Sequence, residues 1–231
     1  MNDENKNVTV YNNDNSSNND VDINNKIDNY TARKINLPNK LTIFRVILVP
    51  VIMIFILIPE NDIFNETWAN IFAAALFLIA NLTDLFDGII ARKYRLTTDF
   101  GALMDPLADK FLIVGSLIAI TAAKSFEGMR WLTVWVTTIV FFREIAVTSL
   151  RLVANSADGK VIAANFAGKL KTTLQYVCIL TILLEDMIIT SNIKTPAYLF
   201  SYITMAIMVI LTVYSGFVYF KSYWKYIDPT K

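Results

Sequence analysis

Two pairs of aspartates are the residues of this chain best placed to do chemistry. Asp84 and Asp87 lie three residues apart, and Asp105 and Asp109 lie four apart, so on helices each pair projects from one face. If the two helices are antiparallel neighbours joined by a short turn, four carboxylates converge. Unpaired carboxylates repel and are costly to desolvate, and divalent cations with oxygen ligands relieve both penalties. The spacing therefore predicts bound Mg²⁺ or Mn²⁺, with two ions expected, and phosphoryl transfer as the chemistry.

The residues around the aspartates fit a phosphate-bearing ligand. Gly88, Ala91 and Gly101 are small, so a nucleotide or pyrophosphate could approach the helix backbone closely beside them. Arg92 follows one turn after the first glycine, where a guanidinium could contact phosphate in a forked geometry. Pro106 directly follows the third aspartate and predicts a helix start there, which would give that aspartate a capping role as well.

The residue types that are missing narrow the chemistry further. The sequence has no histidine, which excludes histidine bases, Ser–His and Cys–His nucleophile pairs, and histidine metal sites. The single cysteine, Cys178, lies inside an apolar run and is predicted to be a small buried core residue. One cysteine allows neither an internal disulfide nor a cysteine-ligated zinc. Any metal must therefore be held by oxygen, which favours a hard cation.

The composition indicates how these residues are positioned. Of 231 residues, 55% are hydrophobic and the mean hydropathy is +0.44, so the chain is predicted to be an all-α polytopic membrane protein. The formal net charge of +1 gives no field that points to nucleic acid. Six apolar runs approach the length that spans about 30 Å of hydrocarbon. They are predicted as transmembrane helices at about 41–59, 67–86, 107–124, 131–150, 172–190 and 196–220.

Residues 1–34 differ sharply from the rest. They are rich in Asn, Asp and Ser and hold too few apolar residues for a core, so they are predicted to be a disordered cytoplasmic tail. They do not form a signal peptide, because the hydrophobic stretch comes too late. Residues 35–231 are predicted to form the six-helix domain.

Lysines and arginines predict the orientation of the domain. They are concentrated at both ends of the apolar region and in the loops after the second and fourth runs, so all of these segments are expected in the cytoplasm. The residues concerned are Arg33, Lys34, Lys40, Arg92, Lys93, Arg95, Arg151, Lys160, Lys169, Lys171, Lys221, Lys225 and Lys231. The opposite loops hold three cations: Lys124, Arg130 and Lys194.

The aspartate segment resembles the signature of the CDP-alcohol phosphatidyltransferase family. That pattern is D-x2-D-G-x2-A-R-x8-G-x3-D-x3-D, and every fixed position is matched between Asp84 and Asp109. The resemblance implies a six-helix membrane fold and a homodimer. It implies that the first three aspartates ligate metal, while Asp109 is the general base and a fourth carboxylate at the metal. It assigns to the CDP-binding surface Asp84, Gly88, Ala91, Arg92 and Gly101.

The resemblance extends to the start of the first helix, Pro38–Arg45. Asn39, Thr42 and Arg45 share one helical side, and the first two are expected to contact the nucleotide or its phosphates. Arg45 is assigned to the phosphate of the acceptor alcohol. The alternative interpretation is a helix cap followed by an arginine that reaches towards the membrane interface.

A second block predicts the acceptor. Arg143–Arg151 and Gly168–Gln175 resemble family members whose acceptor is glycerol 3-phosphate, a dianion near neutral pH. Arg143 and Arg151 lie about two turns apart on nearly one face, and Lys169 and Lys171 enter the next helix. Together they are predicted to form a basic pocket for the acceptor phosphate, with Glu144 paired to one of the cations. The alternative is ordinary anchoring of cytoplasmic lysines and arginines.

The expected activity is transfer of a phosphatidyl group from CDP-diacylglycerol to glycerol 3-phosphate with release of CMP. The enzyme is expected in the plasma membrane with its site facing the cytoplasm. A related synthase for cardiolipin, phosphatidylinositol or phosphatidylserine is the nearest alternative. A membrane prenyltransferase also uses aspartate-rich metal sites, and a transporter would need carboxylates near the bilayer midplane.

Overall fold

The computed structural model describes residues 37–57, 65–94, 99–158, 166–189 and 198–227. Within these ranges the regular structure is entirely helical, which confirms the predicted all-α class for this part of the chain. The α-helices are α1 (Leu37–Leu57), α2 (Glu66–Tyr94), α3 (Asp99–Ala122), α4 (Arg130–Asp158), α5 (Phe166–Ile189) and α6 (Leu199–Ile227), with a 3-10 helix at Lys124–Met129 before α4. The predicted tail at 1–34 lies outside the described residues.

The helices run past the apolar stretches that predicted them. The second run was expected at 67–86, whereas α2 continues to Tyr94; the third was expected to begin at 107, whereas α3 begins at Asp99. Helices α2 and α3 each extend beyond their apolar run by further turns that include polar residues. The reason is that, once a stable helical segment exists, each added residue forms one further backbone hydrogen bond. As a result both aspartate pairs lie on helices, as predicted.

Pro106 does not start a helix, so that prediction was wrong. Helix α3 begins at Asp99 and contains Pro106 in its interior. Proline lacks an amide hydrogen, and therefore it cannot bond to the carbonyl four residues earlier. The expected capping role for Asp105 is lost with the helix start, and its side chain instead contacts another helix, as described below.

Among the described residues, four segments are long and apolar enough to cross a membrane: Asn39–Leu57, Thr67–Asp84, Lys124–Arg151 and Leu199–Trp224. Large apolar side chains on these helices point outward, among them Trp131 at 82% exposure and Phe142 and Phe217 at 66% each. Such surface is costly in water and favourable in lipid, where helices satisfy their own backbone hydrogen bonds. The chain is therefore a helical membrane protein.

The helices pack in two groups that share one core. Helix α1 packs against α2 and α3, and α6 packs against α4 and α5, while α3 joins α4 and α5, and α2 contacts α5. Every helix contributes to one buried apolar cluster, for example through Ile52, Phe77, Leu117, Val140, Ile179 and Met205. Cys178 lies fully buried in this cluster, as predicted.

A buried carboxylate fixes the start of α6 against α5. Glu185 of α5 accepts hydrogen bonds from the backbone amides of Phe200 at 2.8 Å and Ser201 at 2.7 Å, and from the Ser201 hydroxyl. These amides belong to the first turn of α6 and have no partner within their own helix. The interaction sets the position of α6 relative to α5, and hence of the α6 side chains that reach the other end of the molecule.

Candidate active site

Helix α1 contacts both helices that carry the aspartates. Arg45 forms an ion pair with Asp84 of α2, with 2.7 Å between Nη1 and Oδ1. The Arg45 side chain is 1% exposed while that of Asp84 is 38% exposed, so the carboxylate lies at the edge of the core and the guanidinium lies within it. The arginine thus orients an aspartate that still reaches open space.

The second contact of α1 is with α3. The Thr42 hydroxyl donates a hydrogen bond to Oδ1 of Asp105, and Thr42 is buried. Thr42 and Arg45 are three residues apart on α1, so they share one helical face, as predicted. That face holds one aspartate from α2 and one from α3, which was not anticipated from the sequence.

Asp109 is held from a different direction. The phenol of Tyr176, on α5, donates a hydrogen bond to Oδ1 of Asp109. Sequence analysis missed Tyr176, which directly follows the block that ends at Gln175. The available signal was its spacing, since Gly168, Thr172 and Tyr176 recur at four-residue intervals and share a helix face.

The carboxylates keep oxygen atoms of the kind that a hard divalent cation prefers, but the described side chains are not grouped around one point. Each contact above engages one carboxylate oxygen, and an ionised carboxylate has two oxygens with about four acceptor sites. No three carboxylates with described side chains are grouped closely enough to hold a metal. The side chain of Asp87, the fourth predicted ligand, lies outside the described residues, as do those of Gly88, Ala91 and Arg92; Asp87 itself is on α2.

A buried group of charges lies on α4 and α5. Glu144 pairs with Lys171 and, at 3.3 Å, with Nη1 of Arg143. The side chains of Arg143 and Glu144 are each 11% exposed, and that of Lys171 is 3% exposed. The predicted pairing of Glu144 with a cation is confirmed, and it pairs with two. Substitution of one of these residues by a neutral one should destabilise the protein, because a buried charge would remain uncompensated.

Helix α6 supplies the partners of the two arginines. Arg143 donates from Nη2 to the Ser215 hydroxyl at 2.8 Å, and Arg151 donates from Nη2 to the Tyr219 hydroxyl at 2.8 Å. The guanidinium carbons of Arg143 and Arg151 also lie 5.6 and 5.1 Å from the centre of the Tyr219 ring. Sequence analysis missed both α6 residues. Their signal was a polar pair at four-residue spacing within an apolar helix.

A single cavity of about 430 Å³ brings the two predicted sites together. Its lining residues include Asp84 and Asp109, which are hereafter called the carboxylate end. They also include Arg143, Arg151, Lys169 and Lys171, which are hereafter called the cationic end. Lys110, Tyr176 and Tyr219 also line the cavity and were not predicted. The predicted residues with described positions that do not line it are Asn39, Thr42, Arg45, Gly101 and Asp105.

The position of Arg45 bears on its predicted role. It was assigned to the acceptor phosphate together with Arg143 and Arg151, but its ion pair is with Asp84. The arginine therefore accompanies the carboxylate end. Buried beside a carboxylate, it neutralises part of that end's charge.

A helical membrane architecture and one cavity lined by both carboxylates and cations define a membrane protein suited to phosphorylated ligands. The chain belongs to the CDP-alcohol phosphatidyltransferase family, whose model matches residues 35–214. This match favours the CDP-alcohol phosphatidyltransferase family over the membrane prenyltransferase and transporter alternatives.

Curated relatives extend over most of the chain. A Bacillus subtilis protein named CDP-diacylglycerol–glycerol-3-phosphate 3-phosphatidyltransferase is 37% identical over 196 residues, covering 82% of this chain and 96% of the relative. A Sodalis glossinidius protein of the same name is 33% identical, covering 80% of this chain and 93% of its own. The Yersinia enterocolitica counterpart is also 33% identical, with coverage of 83% and 97%.

Proposed function

We propose that this chain is a phosphatidylglycerophosphate synthase. It transfers the phosphatidyl group of CDP-diacylglycerol to glycerol 3-phosphate and yields phosphatidylglycerol phosphate and CMP. The observation that carries the proposal is the single cavity, which joins Asp84 and Asp109 to Arg143, Arg151 and Lys171. One substrate brings a pyrophosphate and the other a phosphate monoester, so a site with two distinct phosphate-binding ends fits both. The names of the relatives agree with this activity.

The carboxylate end is the proposed site for the cytidine diphosphate group. In this proposal Asp84, Asp87, Asp105 and Asp109 hold two Mg²⁺ or Mn²⁺ ions, and the donor chemistry of carboxylates on two helices supports such a role. When bound, the cations would neutralise charge on the pyrophosphate and on the departing CMP. Arg45 orients Asp84 and Thr42 orients Asp105 through the contacts described above. The acyl chains of the lipid remain in the bilayer.

The cationic end is the proposed site for glycerol 3-phosphate. Arginines present planar donors that match phosphate oxygens, and lysines add unoriented positive charge. Arg143, Arg151, Lys169 and Lys171 face one cavity in which Glu144 is the opposing charge at that end. The excess of positive charge favours a dianionic acceptor over a neutral alcohol.

Asp109 is the proposed general base. Its carboxylate takes the proton of the acceptor's primary hydroxyl, and the oxygen attacks the phosphorus that bears the lipid. A new P–O bond forms as the P–O bond to CMP breaks, and CMP leaves with the electron pair. Tyr176 donates to one oxygen of Asp109 and so fixes the orientation of the carboxylate. A base must lie within hydrogen-bond reach of the proton that it abstracts, and Asp109 lines the cavity.

The proposed topology has six spans, both termini in the cytoplasm and the cavity opening to the cytoplasmic side of the plasma membrane. The helices α3 and α5 are each 24 residues long, which at 1.5 Å per residue exceeds the thickness of the hydrocarbon core. The N-terminal halves of both helices carry the charged residues, namely Asp109, Lys169 and Lys171, which supports a position of these halves towards one membrane edge. The homodimer implied by the family resemblance stays a prediction.

Release of CMP tests the proposal. Protein purified in detergent is incubated with CDP-diacylglycerol and Mg²⁺, and glycerol 3-phosphate, inositol, serine and phosphatidylglycerol are supplied separately. Release with glycerol 3-phosphate alone is expected. Release with another alcohol would keep the family chemistry but overturn the proposed acceptor, and release with none would overturn the proposed activity. Omission of the divalent cation should abolish release.

A further inference from the structure

One face of α6 carries polar and aromatic side chains that the proposed reaction does not yet use. Ser215, Tyr219 and Tyr223 recur every four residues, and all three are buried. The rings of Tyr219 and Tyr223 stack with 6.2 Å between centroids and an interplanar angle of 9°. On this face Ser215 and Tyr219 contact the arginines of the cationic end, and Tyr223 packs against Tyr219.

Tyr219 contacts both arginines of the cationic end. Its hydroxyl accepts from Arg151, and its ring lies within cation–π range of Arg143 and Arg151. Gly168 of α5 packs against the same hydroxyl, since a Cβ at that position would lie 3.0 Å from it. The ring is thus enclosed by α4 and α5, and it lines the cavity.

The partners of the cationic side chains determine how much positive charge remains available to a ligand. Lys171 and Arg143 both pair with the carboxylate of Glu144, whose single negative charge offsets one of their two positive charges. Tyr219 and Ser215 are neutral, so they orient Arg151 and part of Arg143 without removing positive charge. A guanidinium held in one orientation also loses less conformational entropy when it binds a phosphate. Neutral partners are therefore suited to arginines that must keep their charge for a ligand.

We propose that Tyr219 is a positioning residue that selects acceptors bearing a phosphate monoester, by holding Arg143 and Arg151 in place without adding negative charge beside them. The inference rests on the proposed function. It adds a residue from α6 and a specificity role to an acceptor site that was predicted from the sequence on α4 and α5, together with Arg45 of α1. Tyr219 acts through the arginines and not on the reacting atoms.

Steady-state kinetics of the purified full chain test the inference with two variants. Tyr219→Phe removes the hydroxyl and should raise the KM for glycerol 3-phosphate about tenfold. Tyr219→Leu also removes the ring and should raise it about fiftyfold. In both, the KM for CDP-diacylglycerol should change less than about twofold and kcat less than about threefold. Tyr214→Phe is the matched control, since Tyr214 is on α6 and 58% exposed.

The results separate the inference from the proposed function. Wild-type protein that releases no CMP with glycerol 3-phosphate overturns the function itself. Active wild type together with an unchanged KM for glycerol 3-phosphate in Tyr219→Phe and Tyr219→Leu overturns only the role of Tyr219. A fall in kcat with equal changes in both KM values also overturns it, because that pattern indicates general structural damage.

A variant on another helix gives an independent check. Gly168→Ala places a methyl group 3.0 Å from the Tyr219 hydroxyl and 3.5 Å from Cε2, so the ring must shift. We expect the KM for glycerol 3-phosphate to rise about fivefold, in the same direction as Tyr219→Phe. Combined with Tyr219→Phe, the alanine should add less than its separate effect, since both act on one contact. Full additivity would contradict the shared mechanism.

Discussion

The two ends of the cavity hold their charged residues in opposite ways. At the carboxylate end, Asp84 is held by a buried arginine and Asp109 by a phenol. At the cationic end, one carboxylate serves Arg143 and Lys171, and neutral groups from α6 orient the arginines. The difference follows from what each end must bind. Aspartates that accept one hydrogen bond keep oxygen lone pairs for a cation, whereas an arginine whose hydrogen-bond partner is neutral, as for Arg151, keeps its charge for an anion.

The carboxylate end should show the largest effect. Asp109→Asn should lower turnover about a thousandfold, because the amide cannot accept the proton of the acceptor hydroxyl. Binding of CDP-diacylglycerol should be largely intact, whereas Asp84→Asn should weaken that binding as well, since Asp84 is assigned both to the metal and to the CDP-binding surface. Equilibrium binding of the lipid and single-turnover CMP release measure the two quantities. Normal activity in Asp109→Asn would remove the assignment of the base.

The stability of the protein should depend on Glu144, the carboxylate of the cationic end, more than on an exposed carboxylate. Glu144→Gln leaves the buried charges of Arg143 and Lys171 without their counter-ion and should lower the free energy of unfolding by about 3 kcal/mol. Denaturant titration and thermal melting in one detergent measure the change. Glu127→Gln is the matched control, because its pair with Arg130 is exposed and worth less than about 1 kcal/mol. Equal losses in the two variants would show that Glu144 does not stabilise the site.

Two arginine variants should separate the ends by their substrates. Arg151→Gln should raise the KM for glycerol 3-phosphate about thirtyfold and leave the KM for CDP-diacylglycerol within about twofold. Arg45→Gln should instead raise the KM for CDP-diacylglycerol and leave the KM for glycerol 3-phosphate within about twofold, because Arg45 holds Asp84. Steady-state kinetics with each substrate varied in turn measure the pattern. A raised KM for glycerol 3-phosphate in Arg45→Gln would instead support the acceptor role predicted from the sequence.

The smallest expected effect concerns the α1 contact with Asp105. Thr42→Val keeps the shape of the side chain and removes the hydroxyl that donates to Asp105. Loss of one such hydrogen bond should reduce kcat/KM for CDP-diacylglycerol about tenfold. Thr138→Val is the control, since the Thr138 hydroxyl bonds only within its own helix among the contacts described, to the Val134 carbonyl at 2.8 Å. Equal activity in the two variants would show that the Thr42 hydroxyl does not contribute to the site.

The sequence predicted the charged residues of the site better than it predicted the side chains that hydrogen-bond to them. The signature placed Asp84 and Asp109 on helices, and the cavity brings them together with Arg143 and Lys171 as expected. The roles assigned to these residues stay predictions. Tyr176 and Tyr219 were missed, since tyrosine in an apolar helix has no pattern that separates a site residue from packing. Pro106 misled the analysis because a proline in a helix interior and one at a helix start look alike in sequence.

What the sequence alone determined was local: helical periodicity, membrane-length apolar runs, and which acidic and basic residues share a helix face. These features depend on continuous stretches of chain, from two turns for a shared helix face to about 20 residues for a membrane span, so they can be read directly along the sequence. The tertiary structure decided which partner each charged residue has. Asp109 meets Tyr176 across 67 positions, Thr42 meets Asp105 across 63, and Arg151 meets Tyr219 across 68. Such contacts arise only when packing fixes the rotation and height of each helix, because a shift of one residue turns a side chain about 100° away from its partner.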